Sequence, residues 1–215
     1  MLREKGAPLK MAGEIHQTPE TGRLFIVSAP SGAGKSTLCR LLMARMPNLR
    51  YSVSTTTRPP REGEVNGQDY FFTDAKRFKA GIEAREWAEW AEVHGHYYGT
   101  SADFIDRERA AGRDVLLDID VQGAAQLRIM YPEAITIFIM PPSMDILRER
   151  LMRRGTDTPE VIERRMVNAR QEIEQRGTYQ YTVVNDRLEE AIAELVQIME
   201  ARAEKPKTND CSRAQ

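Results

Sequence analysis

The run Leu24-Phe25-Ile26-Val27 leads directly into Ala29-Pro30-Ser31-Gly32-Ala33-Gly34-Lys35-Ser36-Thr37, and this junction constrains the fold more than any other feature of the sequence. Four consecutive apolar residues followed by small ones predict a buried strand that ends in a tight loop, and Leu38, Leu41 and Leu42 predict a helix after it. Such a loop suits nucleotide phosphates. Small residues let successive backbone N–H groups converge on an anion, Lys35 adds a point charge toward the outer phosphates, and the Ser36 hydroxyl is a ligand for Mg2+. The positive end of the following helix points at the same place. The pattern G-x-x-x-x-G-K-[ST] has glycine where this chain has Ala29, a departure that is tolerated if residue 29 keeps a negative φ.

Further apolar runs, at Tyr51 to Val53, Val115 to Ile119, Ile135 to Met140 and Tyr181 to Val184, alternate with helical segments. Strands apolar on both faces and separated by helices imply an α/β fold with a parallel sheet covered on each side. Leu188, Ala191, Ile192, Leu195, Val196 and Met199 recur at helical spacing, so a last helix packs on that sheet. With 215 residues and 41% hydrophobic composition, one core forms without disulfide staples. From 56 to 100 the texture changes to Gly and Pro punctuating short aromatic runs, which reads as a small β-rich insertion. Between 148 and 176, arginines mixed with acids around Gly155-Thr156-Asp157-Thr158-Pro159 read as two helices joined by a turn. The polar stretches 1–22 and 204–215 read as flexible tails.

A net charge of −1 provides no broad cationic surface, so no nucleic-acid partner is expected. No run reaches signal-peptide length or the ~20 apolar residues of a membrane span, and only Cys39 and Cys211 are present; both facts point to a cytoplasmic protein without a membrane partner. His16, His94 and His96 lack the spacing of a metal cluster.

Two constellations narrow the chemistry. Arg58 and Arg61 lie three residues apart on a segment that Pro59-Pro60 keeps from being helical, and two guanidinium forks with the Tyr70 hydroxyl can surround one phosphate. Val115-Leu116-Leu117 ends in Asp118 and Asp120, a strand delivering carboxylates to the edge where open α/β sheets bind ligands, there to hold Mg2+ water or an acceptor.

Together with Ser54 through Tyr70, Glu89-Trp90-Ala91, Gly95-His96-Tyr97-Tyr98-Gly99-Thr100, Asp118 through Gly123, Arg154-Gly155-Thr156 and Val184-Asn185-Asp186, these motifs resemble the guanylate kinases over about residues 23–203. The resemblance implies a P-loop three-layer core (23–55, 101–147 and 169–203), a β-rich GMP-binding insertion (56–100) and a helical lid (148–168). It implies ATP phosphates on residues 29–37 with Mg2+ on Ser36, and a GMP pocket of Ser54, Arg58, Arg61, Tyr70, Glu89, Tyr98, Thr100, Asp118 and Asp120. Arg58, Arg61, Tyr70 and Tyr98 would hold the GMP phosphate, and Arg150, Arg154 and Arg165 would close over ATP and act with Lys35 in catalysis. Thr100 stands where the family often has Ser and keeps the hydroxyl.

The implied reaction transfers the γ-phosphoryl group of ATP to GMP or dGMP, giving ADP and GDP, in a monomer or homo-oligomer whose partners are these small molecules. Guanine presents an N1–H beside an exocyclic NH2, a pair that the Glu89 carboxylate can accept, whereas adenine offers an unprotonated N1. A P-loop kinase with another acceptor, such as a ribose bisphosphate kinase, would not need Glu89 and Thr100. A silent, peptide-binding module of the same fold would not need Lys35, Ser36, Arg58 and Arg154.

Overall fold

The computed structural model describes residues 21–201 apart from 94, 154 and 156. Both expected tails, up to residue 20 and from 204, lie outside the described residues, as do His16, His94, Arg154 and Cys211. Gly22, at the end of the expected N-terminal tail, is buried. Its N–H donates to the Arg109 carbonyl at 2.8 Å, and a Cβ there would sit 1.9 Å from the Arg113 carbonyl oxygen.

Strand β1 (Leu24–Ser28) is followed by α1 (Lys35–Arg45), β2 (Arg50–Tyr51), β3 (Thr55–Thr56), β4 (Phe71–Phe72) and α2 (Ala75–Glu83). Next come β5 (Trp87–Val93), β6 (His96–Ser101), α3 (Ala102–Ala110), β7 (Val115–Asp118), α4 (Val121–Met130) and β8 (Ile135–Met140). Helices α5 (Met144–Arg153) and α6 (Pro159–Glu174), strand β9 (Tyr181–Val184) and helix α7 (Leu188–Glu200) complete the order. Five strands form a parallel sheet in the order β2-β7-β1-β8-β9.

Alternation along the strands makes this sheet the middle of three layers. Phe25 and Val27 face one side with Leu38, Leu42, Ile192 and Leu195 of α1 and α7, whereas Leu24 and Ile26 face the other with Ile105 of α3 and Leu127 of α4. A side chain of this size contributes roughly 1.5–3 kcal/mol when fully buried, which fixes the register on both faces. The strand expected at 51–53 is two residues long and sits at 50–51, because beyond Tyr51 the chain leaves the sheet edge for β3. Burial on both faces also fails for β9, an edge strand in which Val183 is buried while Tyr181 and Val184 are exposed.

The insertion folds as a second, four-stranded sheet ordered β4-β3-β6-β5, and it contains one helix that the β-rich expectation left out. Asp74 starts that helix, α2, by accepting the Arg77 N–H at 2.7 Å, and Ser101 does the same for α3 by accepting the Phe104 N–H at 3.2 Å. Helices α5 and α6 share their own small core of Leu147, Leu151, Ile162, Met166 and Ala169, with an Arg148–Glu163 ion pair between them. Among the described residues no helix is long and apolar enough to cross a membrane.

Candidate active site

The loop between β1 and α1 turns on two glycines in the left-handed region, Gly32 at φ 95° and Gly34 at φ 94°. Ala29 needs no such conformation, since Arg85 is the only described non-glycine residue with positive φ. Gly34 is also a point of close approach. A Cβ there would lie 2.3 Å from Nδ2 of Asn185, and that amide donates to the Ala33 carbonyl at 2.7 Å. Asn185, quoted above only as part of a motif, thus fixes the loop from the end of β9.

Lys35 and Ser36 open α1, and β7 brings Asp118 to meet them. The Lys35 ammonium pairs with the Asp118 carboxylate and lies 3.4 Å from the Ile119 carbonyl; Ser36 Oγ lies 3.4 Å from Asp118 Oδ2. Burial pushes the Lys35 ammonium below the usual lysine range, with nearby Asp120 and Glu172 among the groups that pull it back up.

The same open cavity, about 890 Å³, is lined by Lys35, Ser36, Asp118 and Asp120 of the main sheet's edge and by Ser54, Tyr70, Glu89 and Tyr98 of the second sheet. Its volume falls within the range of small-molecule sites. Glu89 is buried, and Thr100 Oγ1, directly behind it, donates to its Oε1 at 2.6 Å. Burial pushes the Glu89 carboxyl up to about 7, with the Thr100 hydrogen bond pulling down and Asp120 pushing up. The other oxygen faces α4, where a Cβ on Gly123 would sit 2.7 Å from Oε2. Gln126 of α4 donates to the Trp90 carbonyl at 3.1 Å and ties β5 to α4 beside this carboxylate.

Asp120 has a second occupation that its sequence position did not reveal: Oδ1 accepts the Gln122 and Gly123 N–H groups at 2.9 and 2.8 Å and caps α4. Arg58 stands behind the cavity wall, bound to Glu64 and lying over the Tyr70 ring, 5.4 Å from its centroid. Arg61 is exposed.

Arg150 reaches the phosphate loop, with Nη1 3.4 Å from the Ala33 carbonyl and Nη2 donating to the Asn185 carbonyl at 2.9 Å. Arg165 pairs with Asp157 at 3.1 Å within the α5–α6 unit and away from the cavity. Arg40 and Glu64 also line the cavity, and neither was singled out from sequence. A signal existed for Arg40, which follows Ser36 by four residues and so shares its helix face.

A family model described as Guanylate kinase matches residues 21–202. The chain is 50% identical over 180 residues to a guanylate kinase of Dechloromonas aromatica, covering 84% of this chain and 89% of that one. Against a guanylate kinase of Neisseria gonorrhoeae it is 53% identical over 180 residues, 84% of this chain and 88% of that one. The crystal structure of guanylate kinase from Anaplasma phagocytophilum superimposes with a TM-score of 0.69 at 35% identity, covering 88% of this chain and 89% of that one.

Proposed function

The chain belongs to the guanylate kinase family, and from that premise we propose how its own residues divide the transfer of the γ-phosphoryl group of ATP to GMP or dGMP. The observation that carries the reading is a single cavity holding Lys35 at the mouth of a phosphate loop together with Glu89 on the second sheet. In-line transfer requires donor and acceptor to share one water-poor space.

Residues 29–37 bind the ATP phosphates, and Lys35 exchanges Asp118 for phosphate oxygens as the donor arrives. The hydroxyl of Ser36 and the carboxylate of Asp118 are hard oxygen donors close together, suited to a Mg2+ ion that takes its remaining ligands from phosphate and water. When bound, that ion would neutralise charge on the β- and γ-phosphates. On the acceptor side, ionised Glu89 takes the N1–H and NH2 of guanine, Ser54 and Thr100 support the base edge, and Asp118 and Asp120 close the wall beside them. Arg58, Arg61, Tyr70 and Tyr98 hold the 5′-phosphate. That phosphate is mostly dianionic near neutrality, its second pKa being about 6, so the nucleophile needs no general base.

The α5–α6 unit acts as the lid. Its private apolar core allows it to move as a body, and Leu151 rests directly over Gly32 of the phosphate loop. Arg150 is at the loop in this structure; Arg165 joins on closure by leaving Asp157, and the role of Arg154 rests on the sequence motif. A reducing cytoplasm fits the reading, with Cys39 a buried free thiol.

A coupled assay of ADP formation with GMP, AMP, CMP and UMP tests the function. GMP is expected to lead AMP by at least about 1,000-fold in kcat/KM, the scale set when a buried hydrogen-bonding site meets the wrong edge; comparable rates with AMP would overturn it. Gly123→Ala tests how Glu89 is placed. Its methyl would meet Glu89 Oε2 at 2.7 Å, so kcat/KM for GMP should fall about tenfold or more with KM for ATP unchanged. Unchanged GMP kinetics would mean that the carboxylate position is not critical.

A further inference from the structure

We propose that Glu64 is a positioning residue of the acceptor-phosphate site, one carboxylate that holds the Arg58 guanidinium and the backbone of Arg61 where the 5′-phosphate of GMP is received. This rests on the assignment of those two arginines given above.

Both oxygens of Glu64 accept from Arg58 Nη2, at 2.8 and 2.9 Å, and Oε2 also accepts the Arg61 backbone N–H at 2.7 Å. The turn that makes this possible is short: Gly63 sits at φ 84° and the Glu64 N–H donates to the Arg61 carbonyl at 3.1 Å. Arg58 is held on two further sides, by the Pro59 carbonyl that accepts from Nη1 at 2.7 Å and by the Tyr70 ring beneath it. A guanidinium has five N–H donors, and the contacts with Glu64 and Pro59 use only the two terminal nitrogens, leaving Nε–H outside them.

The side chains of Arg58 and Glu64 are only 11% and 18% exposed, unlike an ordinary surface pair such as Arg45–Glu189 at 45% and 76%. The Arg58 hydrogen bond, with that from the Arg61 N–H, holds the Glu64 carboxyl below the usual carboxylate range, so the pair stays charged at neutral pH. A carboxylate in an anion site has two possible effects. Left loose, it would repel phosphate; fastened to the Arg58 guanidinium and the Arg61 backbone N–H, it loses much of its repulsion and removes the conformational freedom of Arg58 before the ligand arrives. The seating of both carboxylate oxygens on Arg58 Nη2 and the second bond, from the Arg61 N–H, favour the latter effect.

The test compares wild type, E64A, E64Q and R58A in KM for GMP, KM for ATP and the inhibition constant of guanosine, which lacks the phosphate. E64A is expected to raise KM for GMP about ten- to hundredfold, as a displaced guanidinium does, while KM for ATP and guanosine inhibition stay within about twofold. E64Q should fall between, since the amide oxygen still accepts one of the two donors. A GMP KM that is unchanged or lower in E64A and E64Q would overturn the inference by showing an idle or competing carboxylate, and an equal loss for GMP and guanosine would show support of the whole pocket instead. If E64A does not fold, E64Q decides on the same ratio. R58A separates the two levels of argument: weak GMP binding in R58A alone sinks the role of Glu64, and normal GMP binding in R58A sinks the acceptor assignment of Arg58.

Discussion

Lys35→Ala is expected to fold and to lose at least about 100-fold in kcat, the scale of one preorganised electrostatic contact with developing charge. The geometry adds a second consequence that a kinetic measurement alone would miss. Lys35 is the ion-pair partner of Asp118, whose side chain is 9% exposed, so its removal leaves a nearly buried carboxylate uncompensated. Breaking a buried pair from one side costs up to about 3–5 kcal/mol, and at this cavity edge the water that enters beside Asp118 reduces that figure. The variant should therefore lose stability as well as turnover. Lys35→Ala combined with Asp118→Asn should regain stability without regaining turnover. Denaturant titrations of the single and double variants together with single-turnover phosphoryl transfer read both effects; near-wild-type turnover in the folded single variant would overturn the role of Lys35.

Much of this organisation was legible because it rests on local chemistry. Leu24 to Val27 could only be a doubly buried strand, and Gly32 and Gly34 stand where the loop needs positive φ. What escaped depends on partners distant in sequence or on very short elements. Strands β3 and β4 are two residues each and exist because β6 and β3 pair with them, not because Thr55-Thr56 or Phe71-Phe72 carry a period. Helix α2 starts at Asp74 through its backbone contact, and its short apolar face of Ala75, Phe78 and Ile82 sits inside a stretch whose Gly, Pro and aromatic texture reads as β-rich. Asp120 could be recognised as a strand-end acid, yet nothing local announced that one of its oxygens would be spent on capping α4. Glu64 is the same case at the site itself. A glutamate in a Gly-flanked loop reads as solvated until the turn at Gly63 folds it back onto Arg58.

Glu89→Gln should lose on the order of 2–4 kcal/mol in kcat/KM for GMP, since the amide keeps size and position but turns a donor toward a guanine N–H. Thr100 still finds an acceptor in the amide oxygen, so the damage is directed at the base edge. Discrimination against AMP should shrink with it. Because the carboxyl sits at about 7 in the free site, wild-type kcat/KM for GMP should fall as pH drops from 8 to 6, and the variant should keep only the weaker dependence due to the GMP phosphate itself. Stability takes the opposite sign. A folded-state value raised from 4.5 to about 7 means that the native protein binds this proton more tightly; the stabilisation is complete below 4.5 and is lost as pH rises through 7, a difference of about 3 kcal/mol. Gln carries no charge to bury, so the variant should melt several degrees higher than wild type at pH 8, with the gap closing toward pH 5. A gain in stability paired with a loss of GMP selectivity is the signature of a carboxylate kept buried for recognition. If the GMP to AMP ratio of kcat/KM stays within about threefold of wild type, selection lies elsewhere on the base edge, with Ser54 and Thr100 the next residues to replace.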